Sequence, residues 1–122
     1  MDIVLHERES DLMEILWERG SATAAEVRDA LTDDLAYNTV LTILRRLEEK
    51  GYLRREEEGR AHRYYPVIAR EEVRKSALRR LLNGVFAGSP ELLLTQLISE
   101  RKLSPAQIRR LRNILKEQLP EE

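Results

Sequence analysis

The stretch that most limits how this chain can fold is Ala36–Arg55, AYNTVLTILRRLEEKGYLRR. At 100° per residue from Asn38, Val40, Leu41, Ile43, Leu44 and Leu47 fall in an arc from about 140° to 300°. Asn38, Thr42, Arg45 and Glu49 gather near 0°, and Thr39 and Arg46 lie at about 80–100°. The pattern predicts a helix over Tyr37–Lys50 that buries one side and shows a polar, partly basic side. Gly51 stops it, with Lys50 in the last turn, and the chain then turns extended.

The flanking segments predict what that helix packs against. Leu12, Ile15 and Leu16 mark a first helix over about 8–19, anchored by Leu5 and ended by Gly20. Trp17 reads as a packing residue. Thr23-Ala-Ala-Glu26 is a capping box that opens a second helix, with Val27, Ala30 and Leu31 on its apolar side. Beyond Gly51, Tyr52–Arg55 and Ala61–Tyr65 read as two short strands around the polar turn Glu56–Arg60, closed by Pro66. Tyr52, Tyr64 and Tyr65 are expected at the junction of hairpin and helix.

From residue 70 onward the signals are helical. Val73, Ala77, Leu78, Leu81, Leu82 and Val85 recur at spacings of three and four. Ser89-Pro90 opens a short apolar helix carrying Leu92, Leu93, Leu94, Leu97 and Ile98. Ser104-Pro-Ala-Gln107 opens the last one, with Ile108, Leu111, Leu115 and Leu119 along one face. The expected fold is mainly α with a small β-hairpin wing: a winged helix-turn-helix domain over 1–69, then a three-helix region over 70–122. Three leucine-rich helices hide little apolar surface alone, so this region is expected to dimerise through Leu78, Leu82, Leu93, Leu97, Ile108, Leu111 and Leu115.

Composition narrows the function. The chain has no cysteine and only two histidines, His6 and His62. Disulfides and thiolate metal sites are thereby excluded, and no metal or other cofactor is expected. His62 reads as a surface or partly packed histidine. Neither a Gly-rich phosphate loop nor a histidine beside paired carboxylates is present, so no enzyme is expected. No apolar run is long enough to span a membrane and the N-terminus lacks a signal-peptide core, which points to a cytoplasmic protein without membrane insertion.

The polar side of the central helix suits duplex DNA. Asn38 offers a donor–acceptor pair for adenine, Thr39 and Thr42 offer a hydroxyl and a methyl, and Arg45 and Arg46 fork to guanine or phosphate. The net charge of the chain is −1, from 21 basic and 22 acidic residues. Over residues 36–65, however, seven basic residues outnumber five acidic ones. Phosphate contact needs only a few arginines facing the duplex. Arg60 and Arg63 are the wing candidates for phosphate or minor-groove contact, with ordinary solvated arginines as the other reading. A winged-helix protein-interaction module without nucleic acid is the second reading of the whole chain.

The motifs together resemble a known family. "LMEILWERG", "TAAEVRDAL", "AYNTVLTILRRLEEKGYL", the wing "EGRAHRYYPV" and "KLSPAQIRRLRNIL" are similar to the penicillinase and methicillin-resistance repressors, which also include copper-responsive members. The resemblance implies a homodimeric winged-helix repressor on a palindromic operator with TACA/TGTA half-sites. It implies base contacts at Asn38, Thr39 and Thr42, and backbone contacts at Arg45, Arg46 and Arg60. It also implies relief by a membrane sensor-protease pathway that cuts an Asn–Phe bond in the dimerisation region; the matching bond here is Gln96–Leu97. Two further departures are Ala36, where a Ser often caps the recognition helix, and the missing cysteine cluster of the copper-responsive members.

Overall fold

A computed structural model describes residues 3–118. The order of elements is α1 (Glu7–Arg19), β1 (Ala22–Thr23), α2 (Ala24–Ala30), α3 (Tyr37–Glu49), β2 (Leu53–Glu58), β3 (Ala61–Pro66), α4 (Arg70–Val85), α5 (Pro90–Ser99) and α6 (Pro105–Gln118). The chain forms two compact units, the first ending at Leu78 and the second beginning at Arg79.

The first unit is a winged helix. Leu12, Met13 and Leu16 of α1, Val27 of α2, and Val40, Ile43, Leu44 and Leu47 of α3 are buried together with Tyr52, Leu53 and Tyr64. Leu12, Leu16, Val27, Val40, Ile43, Leu44 and Leu47 are the positions anticipated from the periodicity; Met13 joins them, while Ile15, Leu31 and Leu41 are only partly buried against the core. Trp17 packs on this core, and its indole N–H donates to the Ile68 carbonyl at 2.9 Å. The expected domain division lies after residue 69, but the first unit continues to Leu78. The start of α4 belongs to it physically: Val73 packs on the core, and the buried Ser76 hydroxyl accepts from the Ile3 N–H at 3.0 Å.

Local chemistry sets the boundaries. Thr23 Oγ1 accepts from the Glu26 N–H at 3.2 Å while the Glu26 carboxylate accepts from the Thr23 N–H at 3.0 Å, the reciprocal box that starts α2. At the end of α3 the Tyr52 N–H donates to the Leu47 carbonyl and the Gly51 N–H to that of Glu48. That pair of bonds is the Schellman closure, and it needs the φ of +84° that Gly51 supplies. Because Tyr52 and Leu47 are both buried, the stop also aims the chain into the wing.

The hairpin is longer and its turn tighter than expected. Glu56–Glu58 belong to β2, not to a loop, and the turn is Gly59-Arg60 alone. Gly59 has φ +60° and Arg60 is not in the positive-φ region, as in a type II′ turn with glycine first. This fixes the register Arg54↔Tyr65, Arg55↔Tyr64, Glu56↔Arg63 and Glu57↔His62. Tyr64 is buried, so Arg55, Glu57 and His62 share the face turned to the core, while Arg54, Glu56, Arg63 and Tyr65 share the other. Tyr65 is therefore not at the junction with the helices; it lies under the Arg54 guanidinium, 4.2 Å from the ring centre. A third strand, β1, pairs with β3 to give the order β1-β3-β2.

The second unit comprises the end of α4 with α5 and α6. Ser89 caps α5 by accepting from the Leu92 N–H. Ser104 and Gln107 cap α6 reciprocally. No described residue of α5 or α6 is buried. Leu119, expected on the face of the last helix, lies outside the described residues. No single described helix is long and apolar enough to cross a membrane.

Candidate nucleic-acid interface

The core packing of α3 leaves Asn38, Thr39, Thr42, Arg45 and Arg46 exposed on its other side. Thr42, Arg45, Arg46 and Glu49 line one shallow surface. Arg45 also lines a cleft with Arg60, so helix and wing present their charges to one region. That cleft runs between α3, through Tyr37, Leu41 and Arg45, and the hairpin, through Arg60, His62 and Tyr64.

Which arginines are available is decided by their partners. Among the described residues, Arg45, Arg46 and Arg60 make no ion pair or side-chain hydrogen bond. The neighbouring cations are committed. Arg55 pairs with Glu48 at 3.4 Å and Arg54 with Glu56 at 2.7 Å. The acidic residues of this segment thus neutralise the arginines beside the polar face and leave those on it free.

Arg63, expected as a DNA contact, is placed differently. Its guanidinium donates to both Glu26 oxygens at 3.0 and 3.1 Å, to both Glu58 oxygens at 3.0 and 2.9 Å, and to the Ser21 hydroxyl at 3.3 Å. Donating to Glu58 and then to Glu26 pushes its pKa up, and Arg63 in turn lowers both carboxyls. With its donors occupied, it ties β3 to the start of α2 and to β2. The register explains the difference: a two-residue turn puts Arg63 on the face away from the core.

Two details bear on the reading face. Thr42 donates its hydroxyl proton to the Asn38 carbonyl at 2.8 Å, so what it offers outward is a methyl and an acceptor oxygen. Ala36 gives α3 no side-chain cap, as its sequence implies; the Thr39 N–H turns back to the Ala36 carbonyl at 3.0 Å instead. The hydroxyl of Tyr64, buried beside the cleft, has no hydrogen-bond partner among the described residues.

The residues expected to dimerise all lie on α4–α6. Leu82, Leu93 and Ile108 are half-buried, whereas Leu78, Leu97, Leu111 and Leu115 are exposed. Leu92, Leu94, Ile98 and Ile114, outside the set expected to dimerise, are exposed as well. Gln96–Leu97 sits inside α5; the Gln96 carbonyl accepts from the Glu100 N–H and the Leu97 carbonyl from the Lys102 N–H.

A three-helix core followed by a β-hairpin defines a winged-helix protein, with a polar, basic helix face left exposed beside the wing. The sequence model of the penicillinase repressor family matches residues 5–117, and the chain belongs to that family. It is 26% identical over 109 residues to the methicillin resistance regulatory protein MecI of Staphylococcus aureus (strain N315), across 88% of this chain and 89% of that one. It is 42% identical over 72 residues to the transcriptional regulator BlaI of Mycobacterium tuberculosis (strain ATCC 25618 / H37Rv), across 57% of this chain and 52% of that protein. The solution structure of the DNA-binding domain of the repressor BlaI superimposes with a TM-score of 0.52 at 30% identity, covering 59% of this chain and 93% of that domain. MarR from E. coli, at 17% identity and a TM-score of 0.52 over 95% of this chain and 76% of its own, shares the fold. Family and relatives support a DNA-binding transcriptional repressor rather than an enzyme.

Proposed function

We propose that the protein represses transcription as a homodimer on a palindromic operator with TACA/TGTA-type half-sites. In this reading α3 lies in the major groove, Asn38, Thr39 and Thr42 read bases, and Arg45, Arg46 and Arg60 hold phosphates. The observation that carries it is the set of three partnerless arginines contiguous with that polar face. Two-fold symmetry then places the half-sites about one helical turn apart or a multiple of it.

The dimer rests on the unburied leucines of α4–α6. An apolar surface of this kind on a single chain marks an association site. Relief by a sensor-protease pathway acts, in the same reading, at Gln96–Leu97. Since proteases take extended backbone, α5 must unwind first. Binding to a TACA/TGTA palindrome against scrambled duplex at moderate salt tests the proposal. Specific binding tighter by about 10³ or more is expected; equal affinity for the two duplexes overturns it.

A further inference from the structure

We infer that His62 contacts a DNA phosphate in the cleft between α3 and the wing, and that operator binding takes up a proton there. The inference rests on the docking proposed above. With α3 in the major groove and the wing at the adjacent minor groove, the phosphate strand separating the two grooves runs along the cleft between them. Arg45 and Arg60 line that cleft, and so does His62, on the core-facing side of the hairpin.

Charge on the wing gives the imidazole its task. The wing carries three consecutive glutamates, Glu56–Glu58, near the path of a polyanion. Arg54 neutralises Glu56 and Arg63 neutralises Glu58. Glu57 alone of the three has no ion pair among the described residues, and it stands directly opposite His62 in the β2–β3 register. Directly opposed side chains have Cβ atoms about 4.5–5.5 Å apart. An imidazolium has two N–H donors, so it can serve Glu57 and a phosphate together, whereas neutral imidazole has one.

The groups around His62 set the sign. Around His62 stand Arg45 on α3 and Arg60 in the turn, Glu57 and the Glu48-paired Arg55 on the same face of β2, Tyr37 and Tyr64, and the uncharged Thr23, Ala24 and Ala25 at the start of α2. A phosphate brought into the cleft adds negative charge beside the imidazole and favours its protonated form in the complex. Affinity therefore rises as pH falls, by up to about tenfold per unit for one proton taken up.

The test compares wild type, His62→Gln and His62→Lys on the palindrome and on scrambled duplex at pH 8 and pH 6, across a salt series. Palindrome preference by wild type at pH 8 is the check on the docking; its absence sinks the repressor reading rather than this one. Given that preference, wild type is expected to gain several-fold in affinity at pH 6, with a salt slope steeper by about 0.9. H62Q is expected to lose that gain, and H62K to show the steeper slope at both pH values. His6→Gln, altering the only other histidine, is expected to keep the gain. Thermal melts identify variants that fail to fold, and the folded Gln or Lys variant decides the matter. A pH gain retained in H62Q or H62K, or a wild type indifferent to pH, overturns the inference.

Discussion

The Glu9 carboxylate near the start of α1 meets the Lys50 ammonium at the end of α3, 2.8 Å away, with only 1% of the Glu9 side chain exposed and 28% of Lys50. The same Glu9 oxygen accepts from the His6 N–H at 2.9 Å. One buried charge thus caps the first helix and pins the last turn of the recognition helix. Glu9→Ala strands both donors. Loss of one partner of a buried pair costs about 3–5 kcal/mol, reduced here to about 2–3 because Lys50 reaches solvent. Urea unfolding measures it; a loss under 1 kcal/mol would show that the pair is idle.

Acid should expose the same contact. Burial pushes the Glu9 carboxyl up, but the bonds from Lys50 and the His6 N–H outweigh it and its pKa ends below the ordinary value. A lowered folded pKa means the stabilisation is complete above the unfolded value, about 4.3, and fades as pH falls through the folded one. Glu26 and Glu58 shift the same way through Arg63. Wild type is expected to lose stability below about pH 4, and Glu9→Gln to lose less over the same interval. Parallel melting curves for the two proteins would contradict this.

Thr42→Ala is expected to weaken operator binding by about 1–3 kcal/mol and leave binding to scrambled DNA nearly unchanged. Because its hydroxyl proton is spent on Asn38, the methyl is the stronger candidate reader. Thr42→Val should therefore retain more operator affinity than Thr42→Ala. An equal loss on both duplexes would show that the residue only positions the helix.

Arg60 and Arg63, three residues apart, should behave oppositely. Arg60→Ala is expected to weaken binding to any duplex and to flatten the salt slope by about 1. Arg63→Ala should leave that slope intact while speeding amide exchange in β2 and β3, since it frees Glu26 and Glu58 together. A flattened slope for Arg63→Ala would return that residue to the contact set.

Leu111→Asp puts a charge on the apolar side of α6 and is expected to dissociate the proposed dimer. Sedimentation velocity reads the result. A concentration-independent dimer in the variant would place the interface elsewhere.

The sequence announced its helices through punctuation. Thr23 with Glu26, Ser104 with Gln107, Ser89-Pro90 and Gly51 each act within a few residues, so their physics is complete in the local string. What escaped depends on partners distant in the chain. β1 is two residues long and carries no periodicity; it exists because β3 offers an edge. The side that Arg63 takes follows from the turn length, and the acidic run reads as loop although Glu56–Glu58 belong to β2. Helix periodicity brought out the reading face, but it could not show which arginines were already spoken for.

A second unit in which no described residue of α5 or α6 is buried has a consequence for dosage. If the leucines find cover only on another subunit, ordering this region and pairing the chains are one equilibrium. When dimers are scarce their number grows with the square of subunit concentration. Occupancy of the operator would then switch over a narrower range of expression than a monomer allows, and one protein would set both the threshold and the silence above it.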